Sequence, residues 1–252
     1  MNASRFLPVK ATTIRLAGAL LVGVTVLGLP AVAGAATRPT LPPDTAAKVD
    51  VTPIVQKCTA AIDRRFTTID QLTNATNAAD ALTNDHRSAL QSELAAERTG
   101  LQGLRTQIAA ATDLATLKQL CPKIVDDYRV YVLETPTVRL TIAADREGAA
   151  AHRLDEVGSK LNDAIAKAQA AGKDVGAAPA LSADLTAKVA HAQSSSAGVP
   201  SAVIPLTPAG YNNGSAVPVL TASRDALVSG KGDLIAAKDD AAKIVAILKA
   251  LV

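Results

Sequence analysis

The side chains best suited to catalysis or metal binding are scattered along this 252-residue sequence rather than grouped. Its three histidines are His86, His152 and His191, and none has a second histidine, a cysteine or a carboxylate at a ligand-like spacing within a recognisable metal-binding motif. A bound zinc or similar ion needs several convergent ligands. We therefore predict surface histidines, and neither a metal site nor another cofactor.

Adjacent acidic residues raise the question of general acid–base catalysis. Neighbouring residues on a helix point about 100° apart, so such pairs do not share a proton through local geometry and are typical of solvated faces. The sequence also lacks HExxH, GxSxG, SxxK and phosphate-loop motifs. We predict no catalytic residues and no enzyme; an enzyme with carboxylates assembled from distant helices ranks last. The pairs are Asp126–Asp127, Asp155–Glu156 and Asp239–Asp240.

The segment "LTPAGYNNGS" at 206–215 is the most distinctive local signal for binding. Its proline, glycines and asparagines favour turns, and Tyr211 is the only aromatic residue in that half of the chain. An exposed tyrosine in a loop can anchor a partner, so Tyr211 is our candidate partner contact. The alternative is a tyrosine that packs back onto the rest of the protein.

The first 35 residues are typical of a secretory signal peptide. A basic start precedes an uncharged apolar run, Leu16 to Leu29, and "AVAGA" at 31–35 offers a small-residue cleavage site. The alternative is an uncleaved membrane anchor. Removing 1–35 leaves 26 − 3 = 23 basic and 23 acidic residues, so we expect no nucleic-acid partner. No second apolar run is long enough to span a membrane after signal removal.

Hydrophobic periodicity predicts an all-α fold behind a Pro-rich extended leader at 36–45. Leu90, Leu94, Leu101, Leu104 and Ile108 follow a heptad spacing that favours coiled-coil-like packing, with Glu97 as a polar interruption. In the preceding stripe, Arg65 is the polar exception. The predicted helices are 46–80, 84–111, 113–147, 149–171, 179–197 and 218–250, with a loop between the last two.

Residues 126–145 can be read as a β-hairpin around Pro136 or as part of a helix. We predict a helix because the heptad series continues unbroken from Leu117 to Ile142 and the sequence offers no other strands for a hairpin to join. A kink is expected near Pro136. The stripe changes phase near Gly148, which indicates either a break at 146–148 or one nearly continuous helix over 113–171.

The two cysteines, Cys58 and Cys121, test this layout. At 1.5 Å per residue, an up-down-up arrangement of the first three helices brings both to similar heights, about 18 and 21 Å. Together with export, this predicts a disulfide; two unpaired thiols are the alternative. We predict an elongated antiparallel bundle as one domain, 46–252, or two three-helix packings that share the helix 113–171.

Four phrases, "LTNDHRSAL", "DYRVYVLETP", "AAGKDV" and "LTPAGYNNGS", give the chain a resemblance over most of its length after the signal. It resembles uncharacterised secreted Ala-rich helical proteins of high-GC Gram-positive bacteria. The resemblance implies an exported, envelope or extracellular setting and supplies no functional residues.

Our functional prediction is a secreted, non-enzymatic binding or structural module that contacts an envelope protein or itself through helix faces. The alternative is an extracytoplasmic chaperone or stress-binding protein. "LTNDHRSAL" resembles the LTxxQ helices of periplasmic stress proteins, although His86 and Arg87 depart from that pattern.

Overall fold

The computed structural model describes residues 49–251, and every regular element in that range is a helix. The predicted all-α class is therefore confirmed for this part of the chain. The predicted signal peptide and leader, and residues 46–48 of the predicted first helix, lie outside the described residues. The elements are α1 (Thr52–Asn77), α2 (Asn84–Ala110), α3 (Leu114–Leu120), α4 (Lys123–Asp126), a π-helical turn (Val130–Glu134), α5 (Thr135–Ala170), α6 (Ala178–Ala197), α7 (Val199–Val203), α8 (Pro208–Asn212) and α9 (Ala216–Lys249).

Helix boundaries follow the local capping chemistry. Thr83 accepts a hydrogen bond from the backbone N–H of His86 at 3.3 Å and starts α2, as the sequence predicted. Asp113 does the same for α3 through the N–H of Thr116 at 2.8 Å. The first helix starts later and ends earlier than the predicted 46–80: Val51 precedes it, Pro53 lies in its first turn, and it ends at Asn77.

The predicted helix 113–147 is wrong, because three interruptions divide it. Pro122, which has no backbone N–H, separates α3 from α4. Residues 127–129 leave the helical path, with Arg129 at ψ 43°, and the chain then makes a π-helical turn before α5. The kink expected near Pro136 stays a prediction: this proline lies in the first turn of α5, directly after the π-helical turn.

Of the two alternatives for the phase change near Gly148, the break at 146–148 is wrong, and the continuous helix is confirmed from Thr135 to Ala170. The phase change in the sequence has a different cause. Val138 and Ile142 pack in a first hydrophobic cluster with α1 and α2. Ala151, Leu161 and Ile165 pack in a second cluster with α6 and α9. One continuous helix therefore presents different faces to two sets of neighbours.

The other long helices lie close to their predicted positions. Predicted 84–111, 179–197 and 218–250 correspond to α2, α6 and α9. The segment predicted as a loop between α6 and α9 contains the short helices α7 and α8. Each has a proline in its first turn, and Thr207 caps α8 by accepting from the Gly210 N–H at 3.1 Å.

Cys58 on α1 and Cys121 at the end of α3 form a disulfide, with their Cα atoms 5.8 Å apart. The bond closes a sequence separation of 63 residues and ties α1 to the segment that leads into α5. The division of the chain into domains stays a prediction.

Four contacts give the directions of α5, α6 and α9. Asn162 and Gly148 on α5 lie beside Ser182 and Ser196 on α6 respectively, so these helices run in opposite directions. On α9, Asp240 bonds Lys188 of α6 at 2.6 Å, and Asp233 lies beside His191. Helix α6 is therefore antiparallel to α9 too, and α5 and α9 run in the same direction.

We predict a large difference between two glycine substitutions three residues apart on α2. A Cβ at Gly100 would lie 2.6 Å from Cε1 and Oη of Tyr128, whereas a Cβ at Gly103 meets no atom within 4 Å. Gly103→Ala should stabilise the fold by up to about 1 kcal/mol through helix propensity. Gly100→Ala should be less stable than Gly103→Ala by about 1 to 3 kcal/mol because it displaces a packed ring. Urea unfolding measures both, and equal stabilities would contradict the close packing of Tyr128 on α2.

Candidate binding groove

A long groove lies between the parallel helices α5 and α9. Three adjoining cavities of about 420, 710 and 470 Å³ follow one another along it. The first two share Arg139 and Arg224, and the last two share Ala150 and Lys231. We call this continuous surface the α5–α9 groove.

The floor of the α5–α9 groove is apolar, and the end of α1 contributes Ala75 and Ala78 to its central part. Three large apolar side chains that line it are unusually open to solvent: Val157 is 41 % exposed, Val228 66 % and Ile235 56 %. Exposed apolar side chains gathered in one recess are typical of a binding surface. Further floor residues are Leu140, Ala143, Leu154, Leu220, Leu227 and Leu234.

Six cations line the α5–α9 groove in two rows, one on each helix. Each row repeats every seven residues, which is about 10.5 Å along a helix. Positions in the two rows differ by a constant 85 residues, and each such pair lines a shared cavity between the parallel helices; we call the three pairs rungs. The rungs are Arg139 with Arg224, Arg146 with Lys231, and Arg153 with Lys238.

Most of these cations have no acidic partner among the described residues. Only Arg224 forms an ion pair, with Asp225 at 2.9 Å, and both side chains are more than 60 % exposed. Such exposed pairs contribute little to stability. The groove therefore combines an apolar floor with positive charge that the fold itself does not use.

Glu147 is the one acidic residue that lines the groove. It is 8 % exposed, its Oε1 has no hydrogen-bond partner, and a Cβ at Gly230 would overlap that oxygen. Burial raises the pKa of Glu147 to about 7, and the negative charge of Asp233 acts in the same direction. Below that pH the floor of the groove is close to neutral.

The structure holds the predicted contact residue Tyr211 against the protein's own chain. The guanidinium of Arg129 lies over its ring at 5.5 Å from the centroid. The neighbouring Asn212 accepts from Arg129 Nε at 2.6 Å and donates to the Asp126 carbonyl at 2.8 Å. Tyr211 is half-buried, and its role as a partner contact stays a prediction.

The histidines and paired acids considered for chemistry lie apart from the groove. His86 Nδ1 bonds Asp145 at 2.9 Å, and Asp145 also accepts from the Thr83 N–H at 2.8 Å, which fixes the start of α2 on α5. His152 and His86 line a separate cavity of about 430 Å³. Within 49–251, no three histidine, cysteine or carboxylate side chains come together in a way that suits a metal ion.

Of the paired acids, Asp240 is buried and bonded to Lys188 and Lys243, at 2.6 and 3.1 Å. The hydrogen bond from Lys188 is the main influence that holds the pKa of Asp240 below its usual range. Asp126 pairs with Arg129 at 3.2 Å. The Lys188 contact joins α6 to α9, whereas the Lys243 and Arg129 contacts are local.

A cluster of three glutamates, Glu93 and Glu97 on α2 and Glu134 in the π-helical turn, lies at the first hydrophobic cluster. Glu134 is 1 % exposed, and one carboxyl oxygen of each of the three glutamates is buried without a hydrogen-bond partner. Burial is the main reason that the pKa values of all three glutamates are raised, and it brings the pKa of Glu97 to about 7. Negative neighbours add to the rise for Glu97 and Glu134.

Sequence reasoning missed both the groove and the glutamate cluster, although each left a signal. Basic residues occur at every seventh position of α5 from Arg139 to Lys167, a row that predicts one charged helix edge. Glu97 interrupted an otherwise apolar heptad series. What the sequence could not supply was the pairing of α5 with α9, which brings two distant rows together.

The comparisons with known proteins returned no match: no protein-family model, no curated protein and no solved structure resembles this chain. Within the described residues, no helix is both long and apolar enough to cross a membrane.

The glutamate cluster predicts that stability falls as pH rises. An unfolded glutamate ionises near pH 4.5, whereas Glu134 keeps its proton in the folded state well above that pH. Between pH 4.5 and the folded-state pKa of a buried glutamate, the folded state therefore holds more protons than the unfolded state. Over that range each buried glutamate lowers the free energy of unfolding by up to about 1.4 kcal/mol for every unit that the pH rises. The stabilisation is complete below pH 4.5 and is lost as pH rises through the folded-state pKa values.

Glu134→Gln keeps the side-chain shape but removes the ionisable group. The free energy of unfolding of this variant should therefore fall less steeply between pH 6 and 9 than that of the unmodified protein. Denaturant unfolding at several pH values measures the slope. Glu156→Gln, at an exposed position on α5, is the control and should match the unmodified protein. Equal slopes for Glu134→Gln and the unmodified protein would show that Glu134 is not the buried proton carrier.

Proposed function

We propose that this protein is an exported, non-enzymatic binding module whose α5–α9 groove holds a partner at the cell envelope or outside the cell. The observation that carries the proposal is the apolar floor between two rows of cations, five of which have no ion pair among the described residues. Apolar contact supplies affinity in such a recess, while charges at its edges select the partner and its orientation.

The export setting rests on the basic and apolar pattern of residues 1–35 and is compatible with the Cys58–Cys121 disulfide. The scaffold we propose is an elongated bundle in which successive long helices alternate in direction and pack with coiled-coil-like contacts. The heptad spacing in α2 and α9 supports it. A scaffold of this kind can present one helix face over several turns.

An extracytoplasmic chaperone is the second candidate, because exposed Val157, Val228 and Ile235 would also suit an unfolded client. We favour the binding module because an in-register charge pattern suits one defined partner. A chaperone would suppress aggregation of an unfolded protein at equimolar ratio, and we expect no such effect.

Site-directed photo-crosslinking in producing cells tests the proposed surface. A photoreactive side chain at Val228 would lie in the groove, and one at Val125 would lie on α4; these valines are 66 % and 44 % exposed. We expect a discrete adduct from position 228 and none from position 125, because only the first faces the bound partner. Adducts from position 125 alone, or from neither position, would contradict the proposal.

A further inference from the structure

We infer that the partner held in the groove is an α-helix of another protein, apolar along one face and acidic at every seventh position on the edges of that face. This inference rests on the proposed function and specifies the chemistry of its partner. Four features of the groove lead to it: its length, its repeat, its exposed apolar side chains and its unpaired charge.

The length of the groove suits a helix. From Arg139 to Arg153 the cation row on α5 covers 14 residues, about 21 Å, and the row on α9 from Arg224 to Lys238 covers the same distance. One straight helix of about four turns would contact all three rungs. An amphiphile with a single carboxylate would use one rung and leave the other two without partners.

The repeat of the rungs matches the repeat of a heptad-patterned helix. Side chains seven residues apart on such a helix recur on the same face about every 10.5 Å, which is also the spacing of the rungs. In helical coiled coils, charged residues that flank the apolar seam select the partner and its orientation in the same way. The two cation rows would meet acidic residues on both edges of the partner.

The exposed apolar side chains give the partner's apolar face a surface to cover. Val157, Val228 and Ile235 lie in the groove, and Leu220, Leu227 and Leu234 recur every seven residues along α9. Helix-in-groove recognition uses anchors at this kind of spacing. The lining comes from α5, α9, the end of α1 and the π-helical turn, so a helix placed there would pack on α5 and α9 without displacing α6.

The sign of the charge fixes the chemistry of the partner's edges. Arg139, Arg146 and Arg153 have no ion pair among the described residues, and neither do Lys231 and Lys238. All five are exposed, so they remain hydrated until a partner arrives. Glu147, the one acid of the lining, lies buried in the floor and outside both rows.

A charge-swap binding experiment with designed peptides tests the inference. The probe is a fluorescein-labelled 21-residue helix with leucine in its apolar stripe and glutamate on both edges, and a second probe carries lysine on the edges. Fluorescence anisotropy at low salt should show the glutamate peptide binding at least tenfold more tightly than the lysine peptide. Added salt should weaken that binding because it screens exposed charges.

Reversal of the middle rung then tests the register. The double variant Arg146→Glu with Lys231→Glu should bind the glutamate peptide about tenfold more weakly than the unmodified protein does. A peptide with lysine at its two central edge positions should bind this variant with the original affinity. Lys57→Glu with Lys118→Glu is the matched control: it reverses two exposed cations of α1 and α3 that have no ion pair in the described chain, and should leave affinity unchanged.

Failure of the inference is distinguishable from failure of the proposed function. Equal binding of both peptides would overturn the inference that the partner is an acidic helix. The same conclusion would follow if phosphatidylglycerol vesicles bound through the middle rung and the glutamate peptide did not bind. Either result leaves the groove as the binding surface. Absence of binding by every probe, together with no crosslink from position 228, would overturn both.

Discussion

The packing of α5 against two sets of neighbours is the constraint on which the rest of the structure depends. Its first turns, through Val138 and Ile142, complete the apolar cluster built by α1 and α2. Its later turns, through Leu161 and Ile165, complete the cluster built with α6 and α9. A straight helix of 36 residues that serves both clusters must bury different faces along its length. Its remaining face is free to line a groove with α9.

The position of α5 also explains where charge accumulates. At its start, the π-helical turn directs Glu134 into the first cluster beside Glu93, where proton uptake avoids the cost of a buried charge. Along its open edge, arginines at 139, 146 and 153 need no internal partner because they stay hydrated. Parallel α9 places a second cation row opposite the first. The buried Glu134 and the hydrated arginines therefore lie on one continuous segment, the π-helical turn and α5.

Much of the fold could be predicted from the sequence because helix stripes are local. The heptad series of α2 is buried at Leu90, Leu101 and Ile108, and α2 starts at Asn84, where the pattern indicated. The break at 127–129 could not be predicted, since Tyr128 and Tyr131 continue the apolar spacing across it. The phase change near Gly148 left both a break and a continuous helix open, and it reflects a change of packing partner along α5. The groove depends on the packing of α5 beside α9, two helices far apart in the sequence, which no local pattern reports.

The arrangement of cations in rungs is tested most directly by distances between paired spin labels. Both cysteines are in the disulfide, so introduced cysteines at 139, 153, 224 and 238 can be labelled selectively. Parallel helices predict short and similar distances for the pairs 139/224 and 153/238. The diagonal pair 139/238 should be longer, since it adds about 21 Å along the helix axis. If the diagonal pair gave the shortest distance, α5 and α9 would run in opposite directions and the rungs would not exist.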